Sequence, residues 1–506
     1  MKSKLLSIIY LLLTICVNAQ READILFSGL NTYSIESPDR VSTTLYKFNK
    51  DSLEQIDYTC TIATSNFYSG ATYSDKYGNF KFTSNGWRLV NSWGDVLAHR
   101  LWREDIPWPT NQPDTTNVDK GKGPLFLTDP GDSTKVYLFY GQAKTLQSVN
   151  GSLGGYLDVL FTYAYLDINS QQLISKNNVV MTDTSAMTDV SAVRHANGRD
   201  WWIIKAGVFS NEYYVGLLDP TGVSMHKKIF TAFTPKPQIY TISHFNEDGT
   251  KFLHFTEWAS KEVQTFDFDR CTGELSNPIE FDLSNFLRIG EYNNFTISPN
   301  GNIVYFQRYI WQDSLEYPPG TFQYDLESGI FYKVSPKSGS NFLAPNFKSI
   351  YFLNYNKDSL EVETMSLNEI TNPNGQGEAC NLQNAKYSLL RIPSFVSHPS
   401  YANYRLGALK GSPCDTIRPK LPYAGNTIIY PNPFAYGFKL QLAEAPITPM
   451  QLKVYNGVGQ IVAESGIIQQ TTIITLKEGL AAGLYFVQLF DGQGKLVLKE
   501  KMVKNE

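Results

Sequence analysis

Histidines are the side chains in this sequence best suited to acid–base or metal chemistry. Six occur in the chain, and three of them, His195, His244 and His398, lie near strands that the turn pattern described below predicts to line a central channel. A neutral imidazole there could bind a metal ion or transfer a proton. Their spacing defines no ligand set, and a lone histidine is more often structural. We therefore predict no metal site, no cofactor and no catalytic residue.

The motifs of common enzyme classes are absent from the sequence, which contains no HExxH, GxSxG, Walker A or paired CxxC pattern. Carboxylates are abundant, but many lie in turns where they bond the local backbone. Spacing therefore selects no carboxylate pair for glycoside hydrolysis. A non-catalytic binding protein is the first hypothesis. A hydrolase or lyase acting on polysaccharide or peptide is the alternative, and a structural role in a surface layer is a third.

Aromatic residues in predicted loops favour the binding hypothesis. Two long insertions, residues 102–124 and 141–155, flank one predicted sheet and should project on the same face. Exposed aromatic rings on such loops bind sugar rings or protein hot spots. The alternative is that the rings pack neighbouring sheets together, since large aromatic side chains are mostly buried. The predicted ligand-binding residues are Trp102, Trp108, Tyr213, Tyr214, Trp258, Trp311 and Tyr317.

Composition limits the class of protein. The chain has 506 residues, of which 14% are aromatic and 18% are charged, and its net charge is −4. This length exceeds one ordinary hydrophobic core and predicts at least two domains. Many aromatic and few charged residues are typical of an all-β extracellular protein. Because there is no basic excess, we expect no nucleic-acid partner.

Repeated turns predict the architecture between residues 20 and 412. One series of six turns precedes aromatic-rich strands, and five of the six contain glycine, which supplies the positive φ of tight hairpins. A second series of seven turns runs out of phase with the first. Such alternation predicts repeated four-stranded antiparallel sheets. The first series comprises residues 75–79, 129–132, 196–199, 247–250, 299–302 and 345–348.

The second series has one turn more than the first, and this difference predicts how the repeated sheets close into a ring. If residues 42–60 supply only outer strands, residues 388–409 should supply the inner strands of the same sheet. Such closure leaves no exposed sheet edge. The sequence therefore predicts an all-β fold, a seven-bladed β-propeller followed by a small Ig-like β-sandwich. The propeller resembles the WD40-like and YVTN-like families in architecture, and segments 268–278 and 401–416 resemble those of secreted Bacteroidetes propellers.

The N-terminus predicts a secretory signal peptide over residues 1–19. Lys2 and Lys4 precede an apolar run from residue 5 to 17 that is too short to cross a bilayer. Cleavage is predicted between Ala19 and Gln20. No other run is long and apolar enough to span a membrane, so we expect no membrane span in the mature chain.

Cysteine usage agrees with an oxidising compartment. Cys16 would leave with the leader, and four cysteines remain. We predict a disulfide between Cys380 and Cys414, which bracket the end of the propeller; loop closure would stabilise the fold by roughly 3 to 4 kcal/mol. Two free thiols are the alternative. Cys60 and Cys271 are predicted to be too far apart to pair.

The last eighty or so residues predict a second domain. A linker rich in proline and short polar residues covers residues 413–426, and residues 427–506 follow. Within the second range, short runs such as 452–455 and 487–490 alternate apolar and polar residues, as a strand with one buried face requires. The pattern predicts two packed sheets.

Four ordered motifs give this domain a family resemblance. They are Tyr430-Pro431-Asn432-Pro433, residues 452–460, residues 480–487 and residues 501–505. Together they resemble the C-terminal sorting domain of the type IX secretion system. The resemblance implies export by that machinery, through the periplasm, to the surface or surroundings of a Bacteroidetes-type bacterium. An ordinary Ig-like binding domain is the alternative. The implied sorting residues are Pro431, Asn432, Pro433, Gly459, Gly483, Leu484 and Tyr485.

Overall fold

In the computed structural model the chain divides into two compact units, Met1–Thr416 and Ile417–Glu506. Each unit is described by itself. The described residues are 25–28, 41–48, 52–60, 69–101, 123–145, 156–188, 190–238, 240–256, 262–283, 295–308, 320–337, 341–354, 366–388, 398–415, 427–442, 445–446, 448–477 and 479–505.

The first unit begins with a three-stranded antiparallel sheet and continues with six four-stranded meanders. An extra strand, β12, pairs antiparallel with β10 and parallel with β17, and so joins two meanders edge to edge. The strands are β1 (Ile25–Ser28), β2 (Val41–Phe48), β3 (Leu53–Cys60), β4 (Ser69–Ser74), β5 (Phe80–Ser84), β6 (Leu89–Asn91), β7 (Val96–Ala98), β8 (Leu125–Thr128), β9 (Lys135–Thr145), β10 (Tyr156–Asp167), β11 (Gln172–Met181), β12 (Ser185–Thr188), β13 (Ser191–Arg194), β14 (Trp201–Ala206), β15 (Glu212–Asp219), β16 (Gly222–Ile229), β17 (Tyr240–Phe245), β18 (Lys251–Thr256), β19 (Glu262–Asp269), β20 (Glu274–Asp282), β21 (Phe295–Ile297), β22 (Ile303–Arg308), β23 (Gly320–Asp325), β24 (Phe331–Ser335), β25 (Asn341–Leu343), β26 (Ile350–Asn354), β27 (Ser366–Ile370), β28 (Leu382–Ser388) and β29 (His398–Ser400).

Local turn chemistry explains why each meander forms. In the turn between β4 and β5, the Asp75 carboxylate accepts hydrogen bonds from the backbone N–H groups of Tyr77 and Asn79. Gly78 has a φ of 81° in the same turn, a conformation that glycine adopts without steric cost. The same aspartate-or-asparagine and glycine chemistry recurs between β17 and β18, where the Gly249 N–H bonds the Asn246 carbonyl.

The meanders close into a ring. The first strands of successive sheets lie side by side, as in the neighbours β13 and β17, β17 and β21, and β21 and β25. β29 lies between β25 and β4 and brings the two ends of the ring together. Neighbouring sheets also share cores: Phe48 of β2 packs on Tyr351 of β26 at a ring-centroid distance of 5.5 Å. The seven sheets form the predicted seven-bladed propeller.

The pairing that closes the ring differs from the prediction. Residues 398–400 of β29 pair in parallel with 69–71 of β4, and not with the N-terminal sheet. The reason is that the N-terminal segment brings its own additional strand: β1 pairs along β2, Ile25 opposite Lys47. The edge of β2 predicted to receive the C-terminal strand is therefore occupied, and the free edge of β4 receives it instead.

The predicted disulfide is also wrong. Cys414 is bonded to Cys271, whereas Cys380 is buried and unpaired at the end of the 3-10 helix Gly377–Cys380. Cys271 lies in the turn between β19 and β20, and the chain from residue 401 to 415 runs beside that turn. Arg270, next to Cys271, donates to the Gly407 carbonyl. This brings the two Cα atoms to 5.6 Å, within the range of a disulfide.

The second unit is a two-sheet sandwich. One sheet has the order β30 (Ile428–Tyr430), β31 (Gly437–Gln441), β34 (Thr471–Thr475); the other has the order β33 (Ile461–Ile467), β32 (Met450–Asn456), β35 (Gly483–Phe490), β36 (Leu496–Lys504). Alternate residues of the central strands, among them Leu452, Val454 and Val487, are fully buried between the sheets. The sandwich confirms the predicted fold class. Among the described residues of the whole chain, no helix is long and apolar enough to span a membrane.

Candidate functional site

A cavity lies along the first strands of four neighbouring sheets, β13, β17, β21 and β25. The volume that the centres of water-sized groups can occupy in it is about 40 Å³. One ordered water needs roughly 10–15 Å³ on the same measure, so the cavity is larger than a single-water site. Its lining contains neither lysine, arginine, aspartate nor glutamate. The lining residues are Val190, Ser191, Ala192, Val193, Ser243, His244, Phe245, Thr296, Leu343, Phe347, Tyr401 and Asn403.

One end of the cavity is formed by residues 401–409, which we call the strap. The Asn403 side-chain amide donates to the Glu247 carbonyl at 2.7 Å, and the Leu409 N–H donates to the Ala196 carbonyl at 2.8 Å. Both acceptors lie in turns between the first and second strands of their sheets. The strap therefore crosses the end of the ring that carries those turns. In an antiparallel meander the loops between second and third strands lie at the opposite end.

The strap is anchored to further sheets by its two tyrosines. The Tyr404 hydroxyl donates to the Phe126 carbonyl of β8 at 2.6 Å, and the Tyr401 hydroxyl donates to the Leu343 carbonyl of β25. Burial raises the pKa of Tyr401 well above its usual value, so this hydroxyl stays protonated and remains a donor. Tyr401 and Asn403 also line the cavity.

His244 is a second titratable side chain of the cavity wall. Burial lowers the pKa of His244 to about 4, so its imidazole is neutral at pH 7. The backbone of Phe295 acts on this pKa in the opposite direction. Nε2 of the ring is buried and has no hydrogen-bond partner among the described residues.

Ser243 begins a buried chain of hydrogen bonds beside the cavity. The Ser243 hydroxyl lies 2.9 Å from Nδ1 of His254, and Nε2 of His254 lies 3.0 Å from Oε1 of Gln238. The Gln238 amide donates to the carbonyls of Gly207 and Phe209, so its oxygen faces His254 and accepts from Nε2–H. Nδ1 is consequently unprotonated and accepts from Ser243.

The chain has the connectivity of a nucleophile, a base and an orienting group, but its electrostatics oppose that use. His254 is completely buried, and this burial lowers its pKa to about 3. A base this weak does not activate a serine near neutral pH. Gln238, unlike a carboxylate, supplies no negative charge to stabilise an imidazolium. The arrangement stabilises the fold around the cavity.

Two of the predicted ligand-binding aromatics are buried packing residues. Tyr213 and Tyr214 lie on β15 and not on a loop; they are 0% and 3% exposed. The Tyr213 hydroxyl donates to Gln264 at 2.5 Å, and its ring packs on Phe252 and Phe266. Predicting them as exposed loop residues was wrong, because β15 begins at Glu212 and its residues face the adjoining sheet.

Several predicted positions lie outside the described residues. They are the aromatics Trp102, Trp108, Trp258, Trp311 and Tyr317, the cleavage position between Ala19 and Gln20, and the side chains of Cys60 and His398. Their roles stay predictions. Of the other histidines near the channel, His195 accepts from the Asn197 N–H at 3.0 Å and bonds the Cys271 carbonyl at 3.1 Å. It orders a turn.

Sequence reasoning missed Ser243, His254, Gln238 and the strap residues. One signal was available: His254 interrupts the apolar run of β18, and a polar residue in such a run is buried with hydrogen-bond partners. Nothing local pairs it with Gln238. No group of three histidine, cysteine, aspartate or glutamate side chains that could hold a metal ion occurs within the described ranges.

The sorting motif of the second unit connects the first and last segments of the sandwich. The Asn432 amide donates to the Lys501 carbonyl at 3.1 Å and its oxygen accepts from the Val503 N–H at 2.9 Å. Pro431 and Pro433, on either side of it, are both preceded by cis peptide bonds. The segment from residue 431 to 433 is thereby held against β36.

The remaining motif residues shape turns and the packing of β35. Gly459, with a φ of 83°, bonds the Asn456 carbonyl between β32 and β33, and Gly483 begins β35. The Tyr485 hydroxyl donates to the Ala481 carbonyl at 2.7 Å. Leu484 lies opposite Val503 on the outer face, where both side chains are exposed.

Comparison with known proteins identifies the second unit. Residues 428–505 match the family described as "Secretion system C-terminal sorting domain". No curated protein matches the chain in sequence.

Solved structures of low sequence identity resemble the chain. One is a putative 6-phosphogluconolactonase from Bacteroides uniformis (12% identity, TM-score 0.39, 74% of this chain and 98% of that chain covered). Another is the β-propeller domain of the Trilobed protease from Pyrococcus furiosus (9% identity, TM-score 0.27, 75% of this chain and 96% of that chain covered). A third is PorZ, a surface component of the type-IX secretion system of Porphyromonas gingivalis (11% identity, TM-score 0.14, 96% of this chain and 99% of that chain covered).

Proposed function

We propose that the propeller is a non-catalytic module that binds a glycan or a protein. The premise is that this chain carries a type IX secretion C-terminal sorting domain. The sorting domain indicates export to the cell surface or the extracellular space and implies an interaction with the secretion machinery. The binding role of the propeller is the proposal. The ligand enters from the end of the ring opposite the strap.

The observation that carries the proposal is the neutral cavity along the first strands of four neighbouring sheets. Its lining residues combine hydroxyl, amide and neutral imidazole groups with apolar side chains and contain no permanent charge. Ligand sites of proteins typically combine an apolar wall with a few placed polar groups. The strap forms one end, so a ligand reaches the cavity through the loops at the other end, where residues 102–124 and 141–155 were predicted to project.

Support for binding without catalysis comes from Ser243 and its partners. The low pKa of His254, about 3, removes the general base from the one described serine–histidine pair beside the cavity. A fluorophosphonate probe, which labels activated serines, should therefore leave Ser243 unmodified at pH 7. Labelling of Ser243 that is lost in Ser243→Ala would favour the hydrolase instead.

The direct test is a binding survey of the purified full chain. A glycan array and a screen of surface proteins from the same bacterium should each be run beside assays for polysaccharide and peptide turnover. We expect saturable binding to at least one ligand class and no turnover. Turnover of a polymer would overturn the proposal, and so would the absence of saturable binding in both surveys.

A further inference from the structure

The outer face of the four-stranded sheet in the sorting domain carries apolar side chains that its core does not use. Along β35, Tyr485, Val487 and Leu489 are buried between the two sheets. The alternate residues Leu484 and Phe486 therefore lie on the opposite face. Leu484 belongs to the sorting motif of residues 480–487 and is nevertheless 37% exposed. Exposed apolar side chains that form a group mark binding surfaces.

Neighbouring strands extend Leu484 and Phe486 into such a group. Val503 lies opposite Leu484. Phe486 lies opposite Tyr455, which in turn lies opposite Ile461. Val503 is 42% and Ile461 is 48% exposed, and the two rings are half-buried. We call these five residues the apolar patch; it crosses all four strands at the end of the sheet where β35 begins.

Three lysines on the same face surround the apolar patch. Lys501 lies opposite Phe486, and the ammonium of Lys499 lies 5.8 Å from the centre of the Phe486 ring. Lys453, on β32, lies 3.5 Å from the carboxylate of Glu464 on β33. The three lysines and this glutamate give the face a net charge of +2.

The placement of the lysines favours a protein partner over a phosphate group. A phosphate site gathers its cationic groups around one point. Here the Lys453 ammonium lies 5.8 Å from the Phe490 ring, and that of Lys499 lies beside Phe486, so the charges are spread along the sheet. An apolar centre with polar and charged residues at its margin is typical of protein interfaces.

We propose that this face binds an acidic protein surface of the secretion machinery, with the apolar patch at the centre of the contact and carboxylates of the partner opposite Lys453, Lys499 and Lys501. The inference concerns the sorting domain and is independent of the ligand proposed for the propeller. Strand spacing and rise make the face roughly 20 Å on each side. A contact of this size suits a transient complex, as between a secretion machinery and a protein that it exports.

The outer face of the other sheet fits an acidic partner less well. Ile428 and Ile473 are exposed there, so apolar side chains are present. Its three strands contain one lysine, Lys439, whose ammonium lies 5.6 Å from the Tyr430 ring. Complementary charge therefore favours the four-stranded sheet, and Ile473 supplies a matched control.

The first test reverses charge in the full chain, expressed in the producing bacterium. Lys499→Glu with Lys501→Glu should reduce the exported fraction at least about fivefold, because like charges across an interface repel. Lys477→Glu with Lys495→Glu makes the same change in net charge at exposed positions outside this face and should export normally. Immunoblots of periplasm, cell surface and medium measure the fractions. Equal export of the two double variants, whether normal or reduced, would overturn the inference.

The second test removes apolar side chains from the same face. Leu484→Ser with Val503→Ser should reduce export by a similar factor, whereas Ile473→Ser on the other sheet should not. Because these side chains are exposed, the Tm of each purified variant should stay close to that of the wild type. If the double variant does not fold, Ile461→Ser replaces it. Normal export of a folded patch variant would contradict the proposal.

The third test identifies the class of partner. The photoreactive residue p-benzoylphenylalanine, placed at Val503 of the full chain in living cells, should crosslink to a component of the type IX machinery. Lys499→Glu with Lys501→Glu should diminish that product, and the same label at Ile473 should not give it. Crosslinking to lipopolysaccharide, a protein product that survives charge reversal, or no product would each overturn the inference. None of these outcomes bears on the propeller, whose ligand the binding survey tests.

Discussion

Ser243 and His254 lie directly opposite each other on β17 and β18, with the serine hydroxyl 2.9 Å from Nδ1 of the histidine. This pair fixes a neutral tautomer of His254, because Gln238 accepts from the other ring nitrogen. A buried histidine held neutral makes the stability of the propeller depend on pH. The geometry thus resembles a catalytic pair while its energetics are those of a structural one.

Acid should destabilise the propeller through His254. The folded pKa is about 3, below the usual 6.5, so the unfolded chain binds a proton that the folded chain rejects. The stability due to neutral His254 is present above about pH 6.5 and is lost as the pH falls toward 3. Between pH 7 and pH 5 the loss is about 2 kcal/mol. Urea unfolding at the two pH values measures it.

The control for this prediction is His226, an exposed histidine on β16. His226→Gln should leave the difference in unfolding free energy between pH 7 and pH 5 unchanged, whereas His254→Gln should reduce it. An identical pH dependence in the wild-type protein and His254→Gln would contradict the assignment.

Removing the disulfide should destabilise the propeller. Cys271 and Cys414 are 143 residues apart in sequence, and opening so large a loop typically costs about 2–5 kcal/mol of unfolding free energy. Cys271→Ser, Cys414→Ser and the double variant should lose similar amounts, because each removes the same bond. Chemical unfolding checks this. Additive losses in the double variant would mean that the cysteines act separately.

Cys380 should behave differently from the disulfide cysteines. Burial raises the pKa of its thiol to about 11, so little reactive thiolate exists at pH 8. A thiol reagent should leave Cys380 unmodified in the native protein and modify it after unfolding. Mass spectrometry of the digested protein locates the label. Rapid labelling of native Cys380 at pH 8 would be inconsistent with its burial.

Breaking the buried ion pair between Lys205 and Asp158 should be costly. The two groups are 2.7 Å apart and their side chains are 0% and 1% exposed. Lys205→Met leaves the carboxylate buried without its cation, which typically costs about 3–5 kcal/mol. The double variant Lys205→Met, Asp158→Leu should recover much of that loss. Thermal unfolding of the three proteins decides this, and a single variant as stable as the wild type would refute it.

Removing the sorting domain should change the compartment in which the protein is found. Removal of residues 428–505 should retain the protein in the periplasm, because the matched domain is lost. Asn432→Ala should reduce export out of the periplasm, since it removes both hydrogen bonds that hold the motif to β36. Immunoblots of periplasm, cell surface and medium measure the distribution. Val458→Ala, at an exposed turn position, is the control and should export normally.

The sequence alone determined the features that depend on local pattern. Turn residues such as Asp75 and Gly78, and the alternation in β32 and β35, act within a few neighbouring residues, so their periodicity revealed repeated sheets and a terminal sandwich. The ordered motifs from Pro431 to Tyr485 likewise identified the sorting domain, because they lie in a fixed order along the chain.

Tertiary structure alone decided the contacts between distant segments. Cys414 bonds Cys271 and not Cys380 because the strap passes the β19–β20 turn, and β29 pairs with β4 because β1 already occupies β2. Tyr213 is buried because another sheet covers its strand. Such choices depend on which surfaces meet after the ring has closed, and residues that are far apart in sequence carry no local signal of that meeting.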